Sequence, residues 1–373
     1  MITRRAITIM LFIACSVFSA ATAFGRGTAP CLPVRAPGVN EGFADLPGYS
    51  LGWPTTMTVS TDSQKSVAAR GLWAAKIWPI YQQLNYNNQL DAIFYDSRLK
   101  VIVFRPYYNQ TAAFSQAAQQ TVSCGTTGFQ VADIDTDYGL VAQLLYQKYG
   151  AIDKTVILTG WEADNQIGYL PVSNPWCSSS WPPQSTVDLF TNILEQRQIG
   201  VQNARLANAG AALRVFHAVE VRQVPDVPSP SNPSATVIER IVPVMVQHGH
   251  PPDFISYSSY VAASKVVTKL NTIASASGLP PDRIFVGERG CTIGAPGSGT
   301  AAQRESCFSN HASNTFNWGA RLWLVWSYSG TGGYNSFDLV YGPAGPTPGA
   351  DSPNGFSVIA NINNTWKTTY TCP

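Results

Sequence analysis

Short runs of consecutive apolar residues alternate along the chain with longer stretches in which apolar positions recur at helical spacing. The runs predict strands over 34–40 (VRAPGVN), 74–80 (AAKIWPI), 100–106 (KVIVFRP), 154–162 (KTVILTGWE), 212–220 (ALRVFHAVE), 253–259 (DFISYSS), 283–289 (RIFVGER) and 321–327 (RLWLVWS). Helical spacing is clearest over 137–149 and over 186–209, the latter entered by Ser185-Thr186 and closed by Gly210. Further helices are predicted near 61–71, 89–98, 235–248, 263–277, 300–316 and 354–366, although 61–80 also fits one long helix. Strands alternating with helices imply a parallel sheet. Eight such units imply an α/β fold, a closed (β/α)8 TIM barrel forming a single domain. Residues 107–135, 163–184, 221–233, 290–299 and 328–353 are long strand-to-helix loops, and in a barrel such loops gather at the C-terminal face, where active sites are built.

The first 23 residues stand outside this pattern. A basic MITRR segment, an apolar run over 6–18 and the small residues Ala21-Thr22-Ala23 have the order of a secretory signal peptide, which leaves 24–373 as the barrel domain. The expected location is secreted or periplasmic. Ile13-Ala14-Cys15 offers a lesser alternative, lipoprotein anchoring at Cys15. No apolar run reaches the 18 or so residues that a membrane span requires.

Composition narrows the ligand class. Only 12% of the 373 residues are charged, the net charge is +2 and 11% are aromatic. No basic stripe exists to bind nucleic acid, and a neutral, aromatic-rich surface suits neutral polar ligands. His248-Gly249-His250 has Asp253 as its nearest carboxylate, too few ligands for a metal, and 294–300 (GAPGSGT) lacks the Lys of a phosphate-binding loop. Neither a metal nor a cofactor is expected.

Acidic residues are scarce, so two that terminate apolar strands stand out: Glu162 in VILTGWEADNQ and Glu288 in RIFVGERGC. A carboxylate at the end of a buried strand is partly desolvated, which raises its pKa toward the working value of an acid. A strand-end Glu also serves structurally, as a ligand for backbone amides or Arg. The pair is more telling than either member, because the ends of the fourth and seventh strands face each other across the mouth of a closed barrel. Two carboxylates so placed can flank one glycosidic bond.

On these residues, and on the order and spacing of elements over about 34–370, the chain resembles the retaining glycoside hydrolases of clan A. The resemblance implies a general acid/base at Glu162 and a nucleophile at Glu288. It also places Tyr260, after DFISYSS, near the nucleophile, Trp326 of LWLVWSYSG under the sugar at the cleavage site, and Lys76 of AAKIWPI where the clan usually has Arg. The clan's Asn before the acid/base is replaced by Trp161, so Asn165 and Asn109 are candidates to bind the sugar 2-hydroxyl. No family within the clan is singled out.

Other residues join the expected binding set on chemistry alone. Arg105, in FRPYYN at the end of the third strand, and Arg289 are cations able to hold Glu288 ionised. His217, on the fifth strand with Glu220 near its end, is a candidate substrate contact, and Trp161 is one of several loop aromatics able to stack on sugar rings. The expected function is a secreted retaining glycosidase, monomeric, with a poly- or oligosaccharide substrate. The alternative is a non-catalytic carbohydrate-binding or polysaccharide-assembly protein on the same scaffold.

Six cysteines remain after Cys15, and an exported chain favours pairing them. Barrel closure brings the chain ends together and so suggests Cys31–Cys372. Cys291 and Cys307 are near in sequence, which leaves Cys124–Cys177 on neighbouring loops.

Overall fold

The computed structural model describes residues 36–40, 74–77, 90–97, 99–106, 137–160, 162–164, 184–226, 237–291 and 301–326. Eight parallel strands close into a barrel in sequence order: β1 (Ala36–Asn40), β2 (Ala74–Ile77), β3 (Val101–Phe104), β4 (Thr155–Thr159), β5 (Arg214–Val221), β6 (Phe254–Ser258), β7 (Ile284–Arg289) and β8 (Leu322–Trp326). Closure is made by β8 on β1, where Leu324 lies opposite Gly38 and Trp326 opposite Asn40. All eight predicted strands are present. The strand at 74–77 excludes a single helix over 61–80.

Side-chain alternation sorts the apolar residues into two layers. Ala74, Val101, Val103, Ile157, Phe216, Ala218, Phe254, Phe285, Leu322 and Leu324 fill the barrel interior. The intervening positions, among them Ile102, Leu158, Val219, Tyr257, Val286 and Trp323, face outward and pack under the helices. A strand apolar on both faces is buried on both, as a barrel wall requires.

The surrounding helices are α1 (Asp91–Phe94), α2 (Tyr138–Tyr149), α3 (Gln184–Ala207), α4 (Val242–Gln247), α5 (Ala263–Ser277) and α6 (Ala301–Trp318). Asp137 caps α2 by accepting from the Leu140 amide at 3.0 Å. Gly278 ends α5 in a left-handed conformation (φ 68°) that suits glycine. Two elements differ from expectation. The helix predicted at 89–98 spans only Asp91–Phe94, because the chain turns at Tyr95 to enter β3. The helix predicted at 235–248 opens with a π-helical turn at Val237–Ile241, where Pro243 has no N–H to continue the regular ladder. The helices predicted at 61–71 and 354–366 and the segment 1–23 lie outside the described residues, among which no helix is long and apolar enough to cross a membrane.

One expected disulfide is present, Cys291–Cys307, with Cα atoms 6.2 Å apart. It ties the chain just after β7 to α6. The pairs Cys31–Cys372 and Cys124–Cys177 lie outside the described residues.

Candidate active site

The inward positions of the strands turn from apolar to polar toward their C-terminal ends. On β2 the interior residue after Ala74 is Lys76, on β5 the one after Phe216 and Ala218 is Glu220, and on β6 Ser258 follows the register of Phe254. Strand β7 needs a break to join them. Phe285 faces inward, so strict alternation would turn 287 inward and 288 outward. Instead, Tyr257 pairs with Val286 and Ser258 with Glu288, so one residue is surplus and Glu288 is turned into the barrel mouth.

Gly287 makes this bulge feasible. A Cβ there would sit 2.0 Å from Ser256 Oγ and 3.5 Å from the Phe285 ring. Gly287→Ala is therefore expected to displace Glu288 and lower any turnover by about 100-fold, the usual scale for a 1 Å misplacement. The double variant S256A/G287A, which removes the clashing hydroxyl, should recover part of that loss in a double-mutant cycle of initial rates.

Several polar side chains converge around a buried ammonium. Lys76 Nζ donates to Glu220 Oε1 at 2.9 Å, to Glu220 Oε2 at 2.7 Å and to Glu288 Oε1 at 3.1 Å. Tyr260 OH donates to Glu288 Oε2 at 3.2 Å, while Ser258 Oγ donates to Glu220 Oε1 at 2.9 Å and Thr159 Oγ1 to Glu220 Oε2 at 3.3 Å. Glu162, just past β4, is buried, and its Oε2 lies 3.5 Å from the half-exposed Arg222 guanidinium. Arg222 also covers the Tyr260 ring at 5.5 Å.

Burial weighs on two of these carboxyl groups. Burial, with the charges of Glu288 and Glu220 added, pushes Glu162 up to about 8, against the weaker pull of Arg222 and Lys76. Burial also raises Glu220, opposed by Lys76. Lys76 itself is raised, because the two carboxylates outweigh its own desolvation. Burial and the neighbouring Glu288 keep Tyr260 a neutral phenol, a hydrogen-bond donor at any working pH. Asp164 holds the rim in place: its Oδ2 accepts from the amides of Arg222 at 2.7 Å and Gln223 at 3.0 Å, and so joins the end of β4 to the loop after β5. Among the described residues no group of three or more His, Cys, Asp or Glu side chains is arranged to hold a metal ion.

Of the residues singled out from sequence, Glu162, Glu288, Lys76 and Tyr260 meet in this cluster. Arg105 is buried at the end of β3, on the interior register of Val101 and Val103. Trp326 is the last residue of β8, and Trp161, Asn165 and Asn109 lie outside the described residues.

Two expectations need correction. His217 sits on the outward register of β5 between Val215 and Val219; its Nδ1 is 3.2 Å from Gln198 Oε1 of α3, and its ring meets Tyr138 of α2 edge-on. It packs between barrel and helices, on the opposite side of the strand from the site. Burial holds it neutral, with a pKa lowered to about 3. Arg289 does not face Glu288 either, since the next residue along a strand points the other way. It donates to the carbonyls of Ser259 at 3.1 Å and Val261 at 2.7 Å. Lys76 takes the place imagined for it beside the carboxylate.

Glu220 was the residue sequence reasoning underused, together with Arg222 beyond it. The signal was available. Glu220 is two and four residues on from the interior Ala218 and Phe216, whereas His217 is one residue off that register.

No protein-family model matches the chain, and no curated protein matches it in sequence. Solved structures do resemble it. An endo-β-1,4-glucanase from Xanthomonas axonopodis pv. citri superposes with TM-score 0.51 at 13% identity, covering 89% of this chain and 99% of that one. A GH5-4 broad-specificity endoglucanase from Clostridium acetobutylicum gives 0.51 at 11% identity, covering 88% and 96%. A GH5_18 protein from Bifidobacterium longum subsp. infantis gives 0.53 at 14% identity, covering 90% and 79%. At such identities the likeness is one of fold alone, the TIM barrel.

Proposed function

We propose that the protein is an exported retaining glycoside hydrolase of poly- or oligosaccharides, with Glu162 as general acid/base and Glu288 as nucleophile. The observation that carries the reading is the contrast between two carboxyl groups at one barrel mouth. Glu162 is buried and raised to about 8, so it holds a proton at neutral pH, whereas Glu288 accepts hydrogen bonds from an ammonium and a phenol. One group is ready to give a proton and the other to attack.

In the first step a Glu288 oxygen bonds to the anomeric carbon, the bond to the leaving oxygen breaks, and the Glu162 proton passes to that oxygen. In the second, Glu162 takes a proton from water as the water oxygen bonds to the anomeric carbon, and the ester to Glu288 breaks. The ester removes one of the negative charges that raise Glu162. Its pKa then falls, and the acid of the first step becomes the base of the second.

Export is supported by the signal-like first 23 residues and by the Cys291–Cys307 disulfide, a bond that persists in oxidising compartments. The neighbours named as endo-β-1,4-glucanase and endoglucanase make β-linked glucans the first substrates to try.

The test follows product stereochemistry by NMR during hydrolysis of β-glucan oligosaccharides, with rates recorded across pH. The first-formed anomer should match the substrate's, and kcat/KM should fall as pH rises through about 8, where Glu162 loses its proton. Initial product of the opposite anomer would exclude a covalent intermediate on Glu288. Binding without turnover would favour the carbohydrate-binding alternative.

A further inference from the structure

The reaction assigned above asks Glu288 to surrender its charge and then regain it. Lys76 complicates this, because its ammonium is fully buried and bonded to Glu288. A buried charge that loses its partner is strongly disfavoured. If Glu288 were the sole counterion, esterification would strand a cation inside the barrel.

Glu220 answers that difficulty geometrically. It takes two of the hydrogen bonds from Lys76, at 2.7 and 2.9 Å, against one at 3.1 Å to Glu288. It is itself held from two neighbouring strands, by Ser258 of β6 and Thr159 of β4. It is buried beneath the barrel mouth.

Resting on the glycosidase reading, we propose that Glu220 is a positioning residue that acts through Lys76. It is the standing counterion of the ammonium, holds one N–H aimed at Glu288, and lets Glu288 pass between carboxylate and ester without leaving Lys76 unpaired. No proton leaves Lys76 in this cycle. Its hydrogen bond to Glu288 weakens when the ester forms and strengthens when water releases it.

The charge of Glu220 also reaches the acid/base. The groups acting on Glu162 are Glu288 on β7, Glu220 on β5, Arg222 just after it and Lys76 on β2, with Tyr260 after β6 interacting with both Glu162 and Glu288. Removing the negative charge of Glu220 takes away one of the raising influences. The alkaline limb of the pH–rate profile should then move to lower pH.

The experiment compares wild type, Glu288→Gln, Glu220→Gln and the double variant K76M/E220Q in kcat/KM over pH and in thermal unfolding. Glu220→Gln should lose about 100-fold in kcat/KM, the scale of a misplaced reacting group, with its alkaline limb displaced toward acid. The double variant removes both buried charges, so it should fold stably yet stay at least as inactive, and it decides the matter if the single variant fails to fold. A merely structural ion pair would instead regain activity along with stability. Turnover that Glu288→Gln abolishes but Glu220→Gln leaves within twofold, with an unmoved pH limb, overturns this inference alone. So does an active double variant. A wild type without turnover, or a fully active Glu288→Gln, overturns the glycosidase reading and this inference with it.

Discussion

Glu288→Gln is expected to keep the fold and lose turnover by on the order of 10⁵-fold, the scale seen when a covalent nucleophile is removed. The fold should survive because Lys76 keeps both hydrogen bonds to Glu220, so no buried cation is left unpaired. An amide at 288 keeps one oxygen to accept from Lys76, while its NH2 stands where the second oxygen accepted from Tyr260 and donates to the phenol oxygen instead. What it lacks is a carboxylate oxygen able to form and release an ester. Glu288→Ala opens space beside the anomeric carbon, and azide should then restore part of the rate while giving a glycosyl azide of inverted configuration. Unimpaired turnover in a folded Glu288→Gln protein would remove the nucleophile assignment.

Glu162→Gln should have an effect that depends on the leaving group. Departure of a sugar alkoxide requires the proton, so the loss on oligosaccharides should be roughly 10²- to 10⁴-fold, the range of general acid catalysis. A dinitrophenolate leaves without protonation, so ester formation from the corresponding glycoside should be nearly unimpaired, and the ester should accumulate as a burst. The measurement is a pre-steady-state trace with both substrates. Equal losses on both would take the acid role from Glu162.

The same substitution reports on stability. Burial and neighbouring carboxylates raise the folded-state pKa of Glu162 from the ordinary 4.5 to about 8. Between those two pH values the folded protein binds more protons than the unfolded chain at this group, and its contribution to stability falls as pH rises. Glu162→Gln removes that dependence. The variant should therefore unfold at a higher temperature than wild type at pH 8, with the difference shrinking toward pH 5.

The strand pattern was legible because a barrel wall is buried on both faces, and runs such as VIVF and TVILT have few other uses. Glu162 and Glu288 were legible because a carboxylate at the end of such a run has no apolar reason to be there. Two things were not. The inward turn of Glu288 depends on a one-residue bulge, and the tripeptide Val286-Gly287-Glu288 carries no period that would announce it. His217 drew attention by its chemistry, while Glu220 three residues later held the inward register. Phe216 and Ala218 set the parity of β5, and that parity puts Glu220, not His217, on the inner face.

Counted in chain length rather than side chains, the bulge has a different meaning. Between Val286 and Arg289, β7 spends three steps where β8 spends two, Trp323 to Val325, and β6 likewise advances one residue while β7 advances two. The surplus is thus the same against both neighbours. A chain one residue shorter at 287 would satisfy both ladders and still set Glu288 opposite Ser258, whereas a chain with one methyl more at 287 meets Ser256. At this point of the barrel the surplus residue resets the phase of β7, so that one strand carries Phe285 and Glu288, three residues apart, on the same inner face.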